Sequence, residues 1–93
     1  MGAIVAWTGE AAESVVLVVN LRQPDGSQIP GEVRKVGWYE GEDAPMELRQ
    51  QAWFPPLEPG RYTLLVSWNG AAPTSMPVDV KALETTRVTL SSP

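Results

Sequence analysis

Apolar and polar positions alternate most cleanly over residues 62–68. Tyr62, Leu64, Val66 and Trp68 share one face at period two. Arg61, Thr63, Ser67 and Asn69 share the other, where Leu65 is the single apolar residue. This pattern predicts a half-buried strand. It follows Leu57-Glu58-Pro59-Gly60, in which proline fixes φ and glycine tolerates positive φ, so the pair suits the centre of a tight turn. A tyrosine two positions after Pro-Gly, at the start of a strand, predicts a tyrosine corner, its phenol bonded to backbone near residues 56–58. Leu57, Pro59, Gly60 and Tyr62 therefore take a structural role.

Other segments give weaker versions of the same pattern. Residues 3–7 predict a short strand without charge, which must either pair within the domain or recruit a partner strand. The 9–13 connection has room for one helical turn. Residues 15–21 form a β-branched run with apolar residues on both faces and predict a central strand. Pro24-Asp25-Gly26-Ser27 predicts a turn, and Ile29-Pro30-Gly31 closes that connection. Residues 33–39 predict the next strand, with Gly37 marking a bulge or a close backbone approach. Over 46–54, Met46, Leu48, Ala52 and Phe54 alternate with Glu47, Arg49, Gln51 and Trp53. That predicts a strand, although good helix formers make a helix the alternative there. Asn69-Gly70 can take a type I′ turn, but Ala71-Ala72-Pro73 favours a longer loop there instead. Strands over 78–83 and 87–91, with a turn at 84–86, complete the chain.

Seven strands at spacings of roughly 8–12 residues predict an all-β fold, a Greek-key β-sandwich of seven strands, in a single domain over 1–93. Hydrophobic residues make up 43% of the chain, enough for a small core. With no cysteine and no histidine, disulfides, thiolate metal sites and the usual general base are all excluded. Seven basic residues against eleven acidic ones, with no basic run, argue against nucleic acid as a partner. The longest apolar run, 15–19, is too short for membrane insertion, and the first residues lack the basic start of a signal peptide.

Three segments together resemble a known family. Pro24-Asp25-Gly26-Ser27-Gln28-Ile29-Pro30-Gly31-Glu32-Val33 is similar to the D-x-G-x-P-h-P-G-A-x-V stretch of carboxypeptidase-regulatory-like domains. Phe54-Pro55-Pro56-Leu57-Glu58-Pro59-Gly60-Arg61-Tyr62-Thr63-Leu64 resembles their F-x-x-L-x-P-G-x-Y-x-L, and residues 78–90 resemble their closing strand pair. The likeness runs over 15–91 and departs at Gln28, often proline in the family, and at Glu32, usually a small residue. It implies a transthyretin-like sandwich, with an immunoglobulin-like one as the neighbouring alternative. It also implies no enzyme activity, a spacer or docking role beside other modules, and an extracytoplasmic or cell-envelope setting. Some modules of this fold class carry a Lys–Asn isopeptide bond. Lys35, Lys81, Asn20 and Asn69 lie outside the positions that bond requires, so ordinary surface lysines are expected.

The candidate chemistry is sparse. Glu40, Glu42 and Asp43 make an acidic loop without the ligand spacing of a calcium loop, so no metal and no cofactor is expected. No carboxylate pair lies in a recognisable motif, and Ser67 and Ser75 lack a base and a nucleophile elbow. Trp7, Trp38, Trp53 and Trp68 are the notable resource. Trp68 belongs to a core face. Trp53 shares its face with Glu47, Arg49 and Gln51 and is the best candidate for exposure, with Trp38 undecided between core and surface. Exposed tryptophans serve as protein hot spots or as sugar-stacking platforms. Two functions follow as expectations: a non-catalytic protein-interaction or structural module, and a carbohydrate-binding module using Trp53 and Trp38. Trp53, Trp38 and Arg49 are the expected binding residues.

Overall fold

The structure, a computed structural model, describes residues 1–9, 14–39, 41–43 and 46–91, with the side chain of Trp38 outside that description. Eight strands form two four-stranded sheets that pack face to face. They are β1 (Ala3–Thr8), β2 (Leu17–Arg22), β3 (Gln28–Pro30), β4 (Glu32–Trp38), β5 (Glu47–Trp53), β6 (Gly60–Trp68), β7 (Thr74–Val80) and β8 (Thr85–Leu90). One sheet has the order β4-β5-β1-β8 and the other β3-β2-β6-β7. All pairs are antiparallel except β1 with β8, which run parallel from Ala3↔Thr85 to Thr8↔Leu90. The shortest dimension, 18 Å, is that of two layers.

The alternation over 62–68 survives intact. Tyr62, Leu64, Val66 and Trp68 are buried and meet Leu17, Val19 and Leu21 on the neighbouring strand β2. From the opposite sheet come Ile4, Ala6, Ala52 and Leu90. Each fully buried aliphatic side chain contributes about 1.5–3 kcal/mol. The tyrosine corner is present: the Tyr62 hydroxyl donates to the Glu58 carbonyl at 2.7 Å. Leu57 exchanges backbone bonds with Gly2 at 2.9 Å in both directions, tying the corner to the start of the chain. Pro59-Gly60 makes a bend, not a hydrogen-bonded turn. Gly60 already belongs to β6, and its φ of 156° is nearer to extended than the value of about +80° that a type II turn requires.

Several expectations are corrected. The described residues form eight strands where seven were expected, because Gln28–Pro30 pairs with β2 as a short edge strand. Pro30 is tolerated there since an edge strand can spare a donor. The segment expected as a strand over 78–83 is displaced: β7 runs Thr74–Val80, and Lys81 to Glu84 is a turn closed by a 3.3 Å bond between its end residues. β8 accordingly starts at Thr85. The strand expected over 15–21 is central in its sheet, but only one face is covered, since Val16 and Val18 are exposed. Gly37 is not a bulge, because the β4–β5 register is unbroken from Glu32↔Trp53 to Trp38↔Glu47. It is a close approach instead: a Cβ there would lie 2.9 Å from Met46 Sδ. The alternative of a helix over β5 is not realised. The charge-free strand over 3–7 is no edge, being flanked by β5 and β8. The helical turn considered over 9–13 falls almost wholly outside the described residues.

The turns follow their chemistry. Gly26 donates to the Gln23 carbonyl at 2.9 Å and has φ 91°, a conformation that glycine adopts without strain. Asn69 and Gly70 both have positive φ, and Ala71 donates to the Trp68 carbonyl at 3.0 Å. That is a type I′ turn, and it sits within a five-residue connection between β6 and β7, so the two readings of this segment meet in one loop.

Candidate binding face

Register decides which side chains share the outer face of the β4-β5-β1-β8 sheet. Val5 lies opposite Trp53 and Trp7 opposite Gln51, while Val5 and Trp7 pair with Arg87 and Thr89 on the other side. Trp7 and Trp53 are thus diagonal neighbours across an antiparallel pair, close enough for large side chains to meet. They line one shallow depression of about 270 Å³ together with Val5, Gln51, Thr85 and Arg87. A second hollow of about 350 Å³ adjoins it, lined by Trp7, Thr8, Gly9, Arg49, Arg87 and Thr89. Neither lining contains a carboxylate.

This face is unusual for one with no further sheet or helix of the described residues over it. Val5 points outward yet is only 6% exposed, and Gln51 is equally covered. Trp53, 42% exposed, supplies part of the cover, and its indole Nε1–H donates to Gln51 Oε1 at 2.6 Å. That bond fixes the ring while leaving much of it in solvent. Arg49 lies along the sheet with 13% of its side chain exposed and pairs with Glu47 at 3.4 Å. Arg34 pairs with Glu32 at 2.9 Å, but both are exposed, so this pair adds little to stability. Arg87 has no ion-pair partner among the described residues.

Trp53 and Arg49, both expected as binding residues, are brought together on this face. The backbone of Trp38 lies elsewhere on the sheet. It pairs with Glu47 at the far end of the β4–β5 ladder, six residues along β5 from Trp53, a span of about 20 Å. Its side chain lies outside the described residues. Leu57, Pro59, Gly60 and Tyr62 sit at the corner leading into β6 and not on this face. Trp7, Val5, Gln51 and Arg87 were not foreseen as partners of Trp53. The signal available was the run Ile4-Val5-Ala6-Trp7, apolar on both faces, which implies that the outward side is covered as well.

Among the described residues no group of three or more His, Cys, Asp or Glu side chains could hold a metal ion. Glu42 and Asp43 are exposed, and Glu40 of the same acidic loop lies outside the described residues. No helix of the described residues is long and apolar enough to cross a membrane. Compared with protein-family models, with curated proteins and with solved structures, the chain gives no match in any of the three.

Proposed function

We propose that the chain is a non-catalytic protein-interaction or structural module that positions a protein partner on the outer face of the β4-β5-β1-β8 sheet. The observation that carries this reading is the half-exposed Trp53, locked by Gln51 over a covered Val5, with Trp7 in the same depression and Arg49 in the adjoining hollow. Tryptophan and arginine over a desolvated apolar floor are the composition of an interface hot spot. The absence of histidine and cysteine from the sequence supports a role without catalysis. The finer architecture, a Greek-key, transthyretin-like sandwich of the carboxypeptidase-regulatory-like kind, belongs to the same proposal. It is supported by the motif order over 15–91 and by the Tyr62–Glu58 bond.

A second reading, carbohydrate binding, is favoured by one feature. Trp7 and Trp53 line a single depression beside the polar groups of Gln51, Thr85 and Arg87, which would suit one stacked sugar ring. Trp53→Ala and a control on the opposite sheet, Val18→Ser, separate the readings. In capture experiments analysed by mass spectrometry, a protein retained by wild type and by Val18→Ser but lost with Trp53→Ala supports the interaction module. A sugar-dependent blue shift of tryptophan fluorescence, with glycan-array signal lost in Trp53→Ala, supports the second reading. If Trp53→Ala changes neither, this face is not the binding face.

A further inference from the structure

A two-sheet sandwich exposes four edges, and three of these are guarded. β3 has three residues and ends in Pro30; β7 carries Pro77 and Asp79; β4 carries Glu32, Arg34 and Lys35. Short length, proline and charge are the usual defences against strand recruitment. The fourth edge, β8, is six residues long, with Thr85, Thr86, Val88 and Thr89 all β-branched, no proline and a single charge, Arg87.

Its open hydrogen-bonding groups can be assigned. Ala3 donates to the Glu84 carbonyl at 3.0 Å, and Gly9 donates to the Leu90 carbonyl at 2.9 Å. Since a parallel ladder alternates at period two, the even-numbered residues of β8 face β1. The N–H and C=O groups of Thr85, Arg87 and Thr89 therefore point to the unpaired side. The side chains of those same three residues line the hollows around Trp7.

Two further features mark this edge. Leu83, in the turn leading into β8, is 93% exposed and held at φ 61°. It occupies the third position of the Lys81–Glu84 turn, where positive φ is required and glycine or asparagine is favoured, so the turn accounts for its conformation but not for an apolar side chain there. Met1, also exposed, accepts the Leu83 N–H at 3.1 Å, which places a second apolar residue beside it. Arg87 stands at mid-strand without an ion-pair partner among the described residues. Glu84 precedes the strand and lies outside both hollows.

We propose that the open edge of β8 takes up an extended segment of a partner protein, which adds a strand beside Thr85, Arg87 and Thr89 and sets a carboxylate opposite Arg87. The inference rests on the interaction reading and names the chemistry of its partner. Backbone bonds to the three outward residues supply attachment, Leu83 supplies an apolar contact at one end, and Arg87 selects charge. A second copy of the chain is the wrong occupant. In an antiparallel β8–β8 pair centred on residues 86, 87 or 88, Arg87 would face its own copy directly or diagonally, and like charges so placed repel.

The test uses the full chain and two extended probes, a nine-residue peptide of alternating valine and glutamate and its valine–lysine counterpart. Amide chemical shifts should move at Thr85, Arg87 and Thr89 with the glutamate peptide and not with the lysine peptide. Arg87→Glu should weaken the first peptide about tenfold and confer binding of the second. Leu83→Gly should weaken binding without lowering the melting temperature. Thr89→Pro, which removes an outward N–H that β1 does not use, should block binding while the sandwich stays folded. An equal response to both peptides, shifts confined to other strands, or concentration-dependent dimerisation through β8 would each overturn the proposal. Any of these failures beside a protein captured through Trp53 leaves the interaction module standing without its edge. Loss of both would remove the module reading itself.

Discussion

At the scale of single residues, Tyr62 bears on stability out of proportion to its size. Its ring is buried on the face shared with Leu64 and Val66, and its hydroxyl closes the corner on Glu58 at 2.7 Å. Tyr62→Phe deletes the donor and leaves one carbonyl to find water, a loss at or slightly above about 0.5–1.5 kcal/mol. Tyr62→Ala also opens a cavity and should cost about 3–5 kcal/mol. Denaturant melts measure both, and binding by the folded fraction should be unchanged, because Tyr62 lies away from the outer face. Asp25 offers a test by pH. The Ser27 hydroxyl, at 2.6 Å, and then the Ser27 amide, at 2.9 Å, both donate to its carboxylate and hold its pKa below the usual carboxylate range. A folded-state pKa that is depressed adds stability above the unfolded value, and that stability is lost as pH falls through the folded one. A carboxyl titration followed by NMR should place the Asp25 midpoint below that of a free aspartate, and Ser27→Ala should move it back up. The Tyr62 corner was legible in the sequence because its partner lies four residues back along the chain, and residues 24–27 were legible as a turn, though not the bonds Ser27 makes to Asp25. The partners of Gln50 lie 35 and 42 residues away, and nothing local announced them.

At the scale of elements, β5 shows what periodicity delivers and what it omits. Its alternation separated Glu47, Arg49, Gln51 and Trp53 from Leu48 and Ala52, and the ladder with β4 keeps that phase throughout. Gln50 broke the pattern as a polar residue on the inner side, where it is 3% exposed. Its Nε2 donates to the Val15 carbonyl at 2.6 Å, and its backbone N–H donates to Thr8 Oγ1 at 3.0 Å. It thereby joins β1, β5 and the approach to β2 across the sandwich. Gln50→Leu keeps the volume but strands the Val15 carbonyl, and should lower stability by about 1–3 kcal/mol in a urea melt. Gln51→Leu, on the other face, should instead free the Trp53 indole and change its fluorescence more than the stability. Two of the edge strands, β3 and β7, were the least legible. β3 hides behind Pro30, and in β7 only Met76, Val78 and Val80 face inward, with Pro77 interrupting the run. Strands guarded against aggregation carry, for that reason, the residues that weaken a strand signal.

For the molecule as a whole, β1 is the strand on which the sheet depends. It holds β5 on one side and β8 on the other, and Ile4 and Ala6 are fully buried against the opposite layer. Its parallel partner β8 lies about eighty positions further along the chain, so no local pattern could announce that contact. What could be read was its lack of charge, which left pairing within the domain or recruitment of a partner as the two outcomes. The structure takes the first. Removing residues 1–8 would leave β8 with no neighbour in its sheet, take two fully buried side chains from the core and delete the bonds that tie Gly2 to Leu57. Small domains are stable by about 5–15 kcal/mol, and a single Ile→Ala in a core already costs about 2–5 kcal/mol. Ile4→Ala should therefore lower the melting temperature yet leave a cooperative transition, whereas the deletion should abolish it. Adding a peptide of residues 1–9 to the truncated chain should restore the transition, because the vacated site between β5 and β8 accepts only a strand of matching pattern. A truncated chain that melts cooperatively without the peptide would show that β5 and β8 can close the sheet between themselves, and that β1 is not its centre.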